Sequence, residues 1–347
     1  MENWEVEKLK AWFLSQRRDM PWRDDPSPYA VWVSEVMLQQ TQVSVVIPYF
    51  LRWMEKFPTI EVLAMASIEE VVKEWEGLGY YSRARNLHEG ARYVLKNYSG
   101  ILPSTAKQLK EIKGLGDYTV GAILSFAFHQ KAAAVDGNVL RVLARYYCHL
   151  GDISKTKALQ EIREKAQNLL PDNEPWIISE ALIELGATVC SRNPKCQTCP
   201  LISSCRAFIE GKTGEVPVKS AKEATISLYR AVAVVKCGGH FLVGKGESGK
   251  VMADLFQFPY FEMDCGDVDV EIHGNWLNEE LKLAVDWQKA LPQVRHSFTR
   301  YRALLMPHLY SAKKLKEVDG FEWHTLESLK KLPFSSGHRR ILAELVG

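Results

Sequence analysis

The chain has 347 residues, of which 46% are hydrophobic and 25% are charged, an ordinary composition for a globular protein of two or three domains. Its formal net charge of +2 excludes a strongly basic nucleic-acid-binding domain, so any contact with DNA must depend on local charge. No apolar run reaches the roughly 18 residues of a transmembrane helix, and the acidic N-terminal segment is unlike a signal peptide. We therefore expect a cytoplasmic protein that does not bind membranes.

A long helix is predicted over residues 29–42, where Val, Trp, Met and Leu are frequent. It carries a single carboxylate, Glu35, followed by a polar stripe of Gln39, Gln40 and Gln42. A carboxylate among apolar neighbours has a raised pKa, as a general acid near neutral pH requires. The plain alternative for Glu35 is a solvent-facing position on an amphipathic helix.

A glycine turn at residues 77–79 precedes two tyrosines and two arginines, Tyr80, Tyr81, Arg83 and Arg85. Aromatic and arginine side chains after such a turn suit stacking on bases and contact with phosphates. The plain alternative is a turn that packs one tyrosine into the core.

A second glycine turn contains Gly114 and Gly116, which can take positive φ without strain at a Cβ, so a tight turn is predicted there. An apolar helix should follow directly and lie in the core. The N–H groups of such a turn at a helix N-terminus form a site for an anion such as a phosphate. Further along the chain another helix opens, where Asp136 or Asn138 is by default an N-cap.

Four of the seven cysteines, Cys190, Cys196, Cys199 and Cys205, lie within sixteen residues. Thiolates at such close spacing bind zinc or an iron–sulfur cluster, and the spacing alone does not choose between them. The other three cysteines are scattered, which is typical of reduced core thiols rather than of a secreted disulfide framework.

Residues 214–224 are polar and rich in lysine, and they are typical of a linker between domains. Beyond the linker the sequence predicts strands over residues 226–236, 240–245 and 302–309, and helices over residues 278–283 and 335–345. The chain therefore divides into a mainly helical region and a compact α+β domain.

Several of these stretches occur in the order found in the helix-hairpin-helix Gly/Pro…Asp DNA glycosylases. The runs S-E-V-M-L-Q-Q-T-Q-V at residues 34–43 and G-L-G-Y-Y-S-R-A-R-N at residues 77–86, together with the hairpin, the aspartate and the cysteines, resemble the MutY family of adenine DNA glycosylases. The resemblance covers nearly the whole chain. It implies a catalytic region of two helical subdomains at 1–213 with an iron–sulfur loop at 190–205, and, after the linker, a Nudix-like lesion-recognition domain at 225–347.

The resemblance implies a DNA repair enzyme that flips adenine out of a mispair with 8-oxoguanine or guanine. It then hydrolyses the N-glycosidic bond and leaves an abasic site. Glu35 is the implied general acid, Asp136 stabilises the oxocarbenium-like charge on the sugar, and Tyr118 and Asn138 hold the geometry. Bifunctional members of the superfamily have a lysine nucleophile at the position of Tyr118. We therefore expect a monofunctional enzyme.

Contacts with DNA or with the extruded adenine are implied for nine further residues, namely Trp22, Arg23, Gln40, Tyr80, Gly114, Gly116, Glu180, Phe298 and Thr299. Trp22 is expected near the adenine pocket, Arg23 near the lesion strand and Gln40 at the mispair. Tyr80 is expected to wedge into the duplex, and Glu180 to read the edge of the extruded base.

The lesion-detecting loop and the cysteine loop both depart from the usual pattern of the family. The loop that detects 8-oxoguanine corresponds to Phe298-Thr299-Arg300, with Arg300 where the family has histidine. The four cysteines are implied to hold one [4Fe–4S] cluster, which would fold a loop against DNA. Five residues separate Cys190 from Cys196, where the family has six.

The implied partner is duplex DNA that contains A:8-oxoguanine or A:G mispairs. The protein is expected to be a monomer of bacterial type, associated with the nucleoid. Because the glutamate-rich metal helix of a Nudix hydrolase is absent from the sequence, we expect no pyrophosphatase activity in the C-terminal domain.

Two other functions remain open on the sequence. The first is an endonuclease III-like glycosylase for oxidised pyrimidines, against which Tyr118 and the extra C-terminal domain argue. The second is a non-catalytic DNA-binding protein whose hairpin and metal cluster are structural, against which the paired presence of Glu35 and Asp136 argues.

Overall fold

The computed structural model describes residues 3–24, 26–220, 224–246, 252–264, 268–298 and 300–346. Of residues 3 and 4 it describes the backbone alone. The chain separates into two compact units. We call Met1–Met65 with Asn86–Ala221 the helical unit, and Ala66–Arg85 with Lys222–Gly347 the sheet unit. The division near residue 221 lies inside the predicted linker. The inclusion of residues 66–85 in the sheet unit was not anticipated from the sequence.

Thirteen helices occur in the described residues before the sheet begins. They are α1 (Asn3–Gln16), α2 (Pro21–Asp24), α3 (Pro28–Leu38), α4 (Val43–Lys56), α5 (Ile60–Met65), α6 (Ile68–Glu74), α7 (Ser82–Tyr98), α8 (Ala106–Leu109), α9 (Asp117–Ala122), α10 (Gly137–Tyr146), α11 (Thr156–Leu169), α12 (Pro175–Thr188) and α13 (Arg206–Ile209). A π-helical turn, Ile123–Ala127, continues α9, and α6 belongs to the sheet unit.

Helical periodicity explains how α10 packs in the helical unit. Val139, Val142, Leu143 and Tyr146 recur at intervals of three and four residues, and all of them are buried. They lie in one apolar cluster with residues of α1, α11 and α12. The buried face of α10 therefore fixes the orientation of its N-terminus, where Asp136 is the N-cap.

The helix predicted over residues 29–42 is shorter than expected. It ends at Leu38, and α4 begins only at Val43. Gln40 has a φ of +59° and stands in the turn between the two helices. The prediction that the glutamines form a stripe along one helix is wrong, because a left-handed residue ends the helix before them.

The two glycines of the hairpin turn differ in conformation. Gly114 has a φ of +89°, and a Cβ there would lie 2.7 Å from the Cβ of Asn86. Gly116 has a φ of −85° and is the N-cap of α9, so of these two glycines only Gly114 adopts the positive φ that is open to both. An N-cap requires extended backbone to let the helix begin. The apolar helix predicted after the turn is confirmed by the buried α9 and its π-helical extension.

The described part of the sheet unit contains eight strands and three further helices after α6. They are β1 (Ile226–Cys237), β2 (His240–Lys245), β3 (Phe256–Gln257), β4 (Tyr260–Met263), α14 (Val270–Glu279), β5 (Val285–Ala290), β6 (Val294–Phe298), β7 (Tyr301–Ala312), β8 (Phe321–Thr325), α15 (Leu326–Lys331) and α16 (Ser336–Glu344). The strand order is β3-β2-β1-β7-β5, while β4 pairs with β1, β6 with β7 and β8 with β2. Only β1 and β7 pair in parallel among these strands, with Ile226 opposite Tyr301.

Alternation along β1 places apolar side chains on both faces of the sheet. Val232 and Val234 belong to one apolar cluster with residues of α15 and α16. Ala233 and Val235 belong to another cluster, which Leu277 of α14 completes. The central strand is therefore buried on both sides, which is typical of a sheet with helices on each face.

The three predicted strands and the C-terminal helix are confirmed, but the bounds of the helix predicted over residues 278–283 are wrong. The helix in this region, α14, begins at Val270 and ends at Glu279. It begins there because Asp269 caps it, accepting hydrogen bonds from the backbone N–H groups of Glu271 (2.9 Å) and Ile272 (3.2 Å). Nowhere in the described parts of the chain is a helix both long and apolar enough to cross a membrane.

Candidate active site and cysteine cluster

A cleft of about 1340 Å³ opens in the helical unit. Ten of the predicted site residues line it, namely Trp22, Arg23, Glu35, Gln40, Gly114, Gly116, Tyr118, Asp136, Asn138 and Glu180. They come from α2, α3, the turn after α3, the hairpin, the start of α10 and the middle of α12. Residues far apart in the sequence therefore converge on one cavity large enough for an extruded nucleoside.

Glu35 lies near the middle of α3 and only 5% of its surface is exposed. Burial raises the pKa of its carboxyl to about 7, and the negative charges of Asp136 and Glu180 act in the same direction. The hydroxyl of Tyr118 donates a hydrogen bond to Glu35 Oε2, which opposes the rise in pKa. The predicted environment for Glu35 is therefore present, and a carboxyl with this pKa holds a proton near neutral pH.

Asp136 is both a helix cap and a cavity residue. Its Oδ1 accepts hydrogen bonds of 2.8 Å from the backbone N–H groups of Asn138 and Val139, and its Oδ2 accepts one of 2.7 Å from Asn138 Nδ2. Burial raises the pKa of Asp136 in spite of these bonds. The capping and catalytic interpretations of Asp136 are therefore compatible, because the same carboxylate lines the cleft.

Arg23 and Trp22 form part of the wall of the cleft. The Trp22 side chain is buried and its ring meets that of Phe50 edge-on at 5.3 Å. The Arg23 guanidinium lies 3.3 Å from Glu180 Oε2 and 3.0 Å from Glu184 Oε2. Two carboxylates therefore hold Arg23 inside the cavity wall, and its predicted contact with the lesion strand stays a prediction.

Glu184 and Arg18 are cleft residues that sequence reasoning did not assign. Glu184 is fully buried, and Arg18 Nε donates to its Oε1 at 2.5 Å. Burial acts to raise the pKa of Glu184, but Arg18 and Arg23 more than offset it and the pKa is lowered. In contrast, burial raises the pKa of the neighbouring Glu180. The only signal in the sequence was the spacing of Glu184 one helical turn after Glu180.

Arg141 is a further residue that the sequence did not single out. Its guanidinium donates to Asn138 Oδ1 (2.8 Å), to the carbonyl of Gly186 (2.7 Å) and to the carbonyl of Cys190 (2.7 Å). A Cβ on Gly186 would stand 2.6 Å from the Cβ of Asn138, so α10 and α12 approach closely at this point. Arg141 thus holds Asn138 in place beside Asp136.

The hairpin carries a paired acidic group. Asp117 is the first residue of α9, and its carboxylate lies 2.8 Å from Lys110 Nζ and 2.9 Å from Arg163 Nη1. The hydrogen bond from Lys110 contributes most to the lowered pKa of Asp117. These two cations offset the negative charge that Asp117 would otherwise present to a phosphate near Gly114 and Gly116.

Two predicted DNA contacts lie in the sheet unit. Tyr80 is 43% exposed and has a φ of +47°. Phe298 ends β6, with its ring 5.5 Å from that of Tyr301 and the Arg230 guanidinium 5.6 Å above it. Thr299, the third predicted contact, lies outside the described residues.

The four clustered cysteines line one small cavity in the helical unit. All four are free thiols, and burial raises the pKa of Cys196, Cys199 and Cys205. Within the described ranges, no three Cys, His, Asp or Glu side chains stand close enough to hold a single metal ion. Four thiols around a shared cavity are a donor set that suits either a zinc ion or an iron–sulfur cluster.

Arg145 holds the loop that carries these cysteines. This buried side chain donates to Cys190 Sγ (3.4 Å) and to the carbonyls of Ser191 (2.6 Å) and Val216 (2.8 Å). Its positive charge faces the cysteine cavity and would offset the negative charge of thiolate ligands.

Two family models match the chain. The model described as "HhH-GPD superfamily base excision DNA repair protein" matches residues 33–168. A model described as "NUDIX domain" matches residues 230–344. The first match includes the hairpin, Glu35 and Asp136, and the second covers almost all of the sheet that begins with β1.

Nearly the whole length of the chain aligns with a curated protein. An "Adenine DNA glycosylase" of Buchnera aphidicola subsp. Acyrthosiphon pisum (strain APS) is 30% identical over 339 residues, which cover 96% of this chain and 95% of that relative. This chain belongs to the adenine DNA glycosylase family. The "Adenine DNA glycosylase" of Mus musculus is 47% identical over 218 residues, 60% of this chain and 42% of that relative. The chain spans between 38% and 42% of the length of the mammalian family members that it matches.

A solved structure also matches the helical part of this family member. A thermostable thymine-DNA glycosylase covers 59% of this chain and 95% of its own length, with a TM-score of 0.54 and 30% identity. The predicted fold class, a helix-hairpin-helix glycosylase region followed by a Nudix-like domain, is confirmed.

Proposed function

We propose that the chain is a monofunctional DNA glycosylase that releases adenine opposite 8-oxoguanine or guanine in duplex DNA and leaves an abasic site. The observation that carries this proposal is the cleft where Glu35, buried and hydrogen-bonded to Tyr118, faces the same cavity as Asp136. A proton donor and a carboxylate around one cavity are what hydrolysis of a glycosidic bond requires. The names of the relatives supply adenine as the base.

The reaction begins when adenine is extruded from the duplex into the cleft, at a cost of a few kcal/mol in unstacking. Glu35 donates its proton to N7 of the base. The C1′–N9 bond then breaks, and its electron pair leaves with adenine, which departs as a neutral molecule. A carboxyl with a pKa of about 7 suits this donation near neutral pH.

The sugar is left with oxocarbenium-like positive charge, and Asp136 stabilises it. Three hydrogen bonds hold the Asp136 carboxylate, so it need not reorganise as the charge develops. Water adds to C1′ and gives its proton to the Glu35 carboxylate, which restores the acid. Asn138 orients Asp136, and Arg141 in turn orients Asn138.

The residues that line the cleft support the proposal that the enzyme does not cut the DNA strand. A lyase needs an amine nucleophile to form a Schiff base with the sugar. Among the described residues that line the cleft there is no lysine, and Tyr118 stands at the position of the bifunctional enzymes' lysine. Lys113 and Lys131 pair with Glu89 (2.5 Å) and Asp172 (2.6 Å).

Recognition of the mispair is assigned to residues of both units. Gln40, held in a left-handed turn at the cleft, contacts the mispair, and Glu180 reads the edge of the extruded adenine. Tyr80 wedges into the duplex, and the loop of Phe298 and Thr299 detects 8-oxoguanine. The enzyme acts as a monomer in the cytoplasm, with mispaired duplex DNA as its partner.

The four cysteines hold one [4Fe–4S] cluster in this proposal. When bound, the cluster cross-links the loop from Cys190 to Cys205 and takes no part in base removal. The shared cavity and the Arg145 guanidinium beside Cys190 Sγ support this assignment. Iron and sulfide analysis of the purified protein should give the stoichiometry of a [4Fe–4S] cluster, whereas zinc alone would overturn it.

Single-turnover release of adenine tests the proposed function. Duplexes should carry A opposite 8-oxoguanine, A opposite G and A opposite T. We expect excision from the first two, fastest from the first, and little from the third. Equal rates with A opposite 8-oxoguanine and A opposite G would contradict the proposal that the loop of Phe298 detects 8-oxoguanine. Intact duplex binding without excision from any of them would contradict the enzymatic assignment.

A further inference from the structure

The turn that carries Tyr80 belongs to the sheet unit, although the chain on either side of residues 66–85 belongs to the helical unit. Gly77, Gly79 and Tyr80 have φ values of +104°, +72° and +47°. A tyrosine with positive φ is strained, and such strain persists only where neighbouring structure holds the backbone in place. The contacts that hold this turn therefore identify what positions Tyr80.

Side chains from both ends of the turn fix its carbonyl groups. Trp75 Nε1 donates to the carbonyl of Gly79 at 3.1 Å. Arg83 Nη2 donates to the carbonyls of Leu78 and Gly79, each at 3.1 Å. These bonds shape the turn but do not connect it to the rest of the sheet unit.

One such connection is made at Phe334, between α15 and α16. Glu76 accepts hydrogen bonds from Arg339 Nε (2.5 Å), Arg339 Nη2 (2.9 Å) and the backbone N–H of Phe334 (3.2 Å). The Tyr81 hydroxyl donates to the carbonyl of Phe334 (3.5 Å) and accepts from the N–H of Gly77 (3.3 Å). The Glu76–Arg339 pair is bidentate and partly buried, with 14% and 28% of the two side chains exposed.

The other side of α16 packs against β6. Ser336 Oγ lies 2.8 Å from His296 Nε2, and Arg340 Nη1 donates to the carbonyl of Arg295 at 2.9 Å. A Cβ on Gly337 would stand 2.8 Å from His296 Nδ1, so the helix and the strand are in close contact. Because β6 ends at the predicted lesion-detecting loop, one short helix touches both that strand and the base of the Tyr80 turn.

We propose that α16 couples the lesion-detecting loop to the Tyr80 turn, with Glu76 and Arg339 as positioning residues for Tyr80. The proposal rests on the proposed function and extends it. Contact of the loop with 8-oxoguanine restrains β6 and α16, and the bidentate pair passes that restraint to the turn. Tyr80 then loses less conformational freedom when it enters the duplex, so the lesion favours insertion.

The rate preference for A:8-oxoguanine over A:G tests this coupling. Arg339→Ala and the milder Glu76→Gln should each lower the preference about tenfold, within the range of measured coupling energies. Glu327→Gln breaks the exposed Lys330–Glu327 ion pair of the same unit and is the matched control, which should leave the preference unchanged.

The Tyr80→Ala background separates positioning from general stabilisation. If Arg339 acts through Tyr80, adding Arg339→Ala to Tyr80→Ala should lower the preference no further. A further tenfold fall in the double variant would overturn the proposal, because it would show that Arg339 acts independently of Tyr80.

Hydrogen exchange of the backbone amides of residues 76–81 gives a readout that needs no catalysis. In the free full-length protein, Arg339→Ala should speed their exchange at least about tenfold, and Glu327→Gln should not. Unchanged exchange would overturn the role of Arg339. Failure of the wild-type protein to release adenine would instead contradict the proposed function, and the exchange result would still decide whether α16 holds the turn.

Discussion

The helical unit and the sheet unit both bury titratable side chains, and burial shifts the pKa values of those side chains in opposite directions. In the helical unit, burial raises the pKa of Glu35 to about 7 and raises the pKa of Asp136 as well. In the sheet unit, burial lowers the pKa of His273 and His296 to about 4 and that of His338 to about 3. Both effects have one cause, since a low-dielectric interior disfavours whichever form is charged.

What differs between the units is the access of the buried group to a ligand. Glu35 faces a cleft and shares a hydrogen bond with Tyr118, so its retained proton is available for chemistry. Among the residues that the structure describes, neither ring nitrogen of His273 has a hydrogen-bond partner, and the rings of Phe261 and Tyr310 pack against it. The same physics therefore leaves a protonated carboxyl facing a cleft in one unit and causes a pH-dependent cost to stability in the other.

Removing the acid should have the largest effect. Glu35→Gln keeps the shape of the side chain but cannot donate a proton to adenine, so single-turnover excision should fall by about 10²–10⁴-fold. Duplex binding should stay within about threefold of wild type by fluorescence anisotropy. Glu7→Gln, an exposed substitution on α1, is the control. Near-normal excision by Glu35→Gln would show that another group supplies the proton.

Removing the charge of Asp136 should rank second. Asp136→Asn can still cap α10 but loses the negative charge opposite the sugar cation, so excision should fall by about 10²–10³-fold with little change in stability. Asp136→Ala should also lower the free energy of unfolding by about 0.5–2 kcal/mol. Equal stability losses in both variants, measured by urea titration, would mean that the cap depends on the charge.

Acid should weaken the sheet unit through its buried histidines. His273 has an ordinary pKa of 6.5 when unfolded and about 4 when folded, so the unfolded state binds more protons between these values. Stability is unaffected above pH 6.5 and falls with pH down to about 4, by about 3 kcal/mol for this one residue. Hydrogen exchange of the backbone amides of β1 and β7, corrected for the intrinsic pH dependence of exchange, measures this loss of stability. His273→Phe should flatten the slope, and an unaltered slope would assign it to other groups.

The helical unit should respond to pH with the opposite sign. The pKa of Glu35 is higher in the folded state than its ordinary value of 4.5, so the cost of burying its charge appears as pH rises from 4.5 to about 7. The excision rate should fall over the upper part of the same range, as the acid form disappears.

The smallest effect concerns Tyr118. Its hydroxyl stabilises the Glu35 carboxylate and so lowers the pKa, which means that Tyr118→Phe should move the alkaline limb of the pH–rate profile to higher pH. Maximal excision should change by less than about tenfold if the hydroxyl only tunes the acid. A shift of the limb to lower pH would contradict this direction.

The family resemblance supplied the catalytic candidates, and the local sequence supported some of them. Glu35 stood out as the one carboxylate in an apolar run, and the same run buries it on α3. The cysteines stood out by spacing. The turn at Gln40 was missed, because no glycine or proline marks the end of α3.

The residues that hold the cleft side chains and the Tyr80 turn in place could not be predicted from the local sequence. Arg18 and Glu184 are 166 residues apart in the chain, and Glu76 and Arg339 are 263 apart. Nothing in the neighbourhood of either member of a pair identifies the other. That Glu184 is a site residue rather than a solvent-facing one is shown by its burial.

The sequence by itself determined the two kinds of architecture, and its motifs pointed to the family and to Glu35, Asp136 and the four cysteines as candidates for the proposed roles. The architectures follow from periodicity and residue type within one or two elements, whereas the candidate roles follow from the order of the motifs that the chain shares with the family. The tertiary structure alone decided that Arg18 and Arg23 hold Glu184, that Arg141 holds Asn138, and that residues 66–85 belong to the sheet unit. Such contacts arise when whole elements pack together, so their energies depend on pairs of residues that no local pattern records.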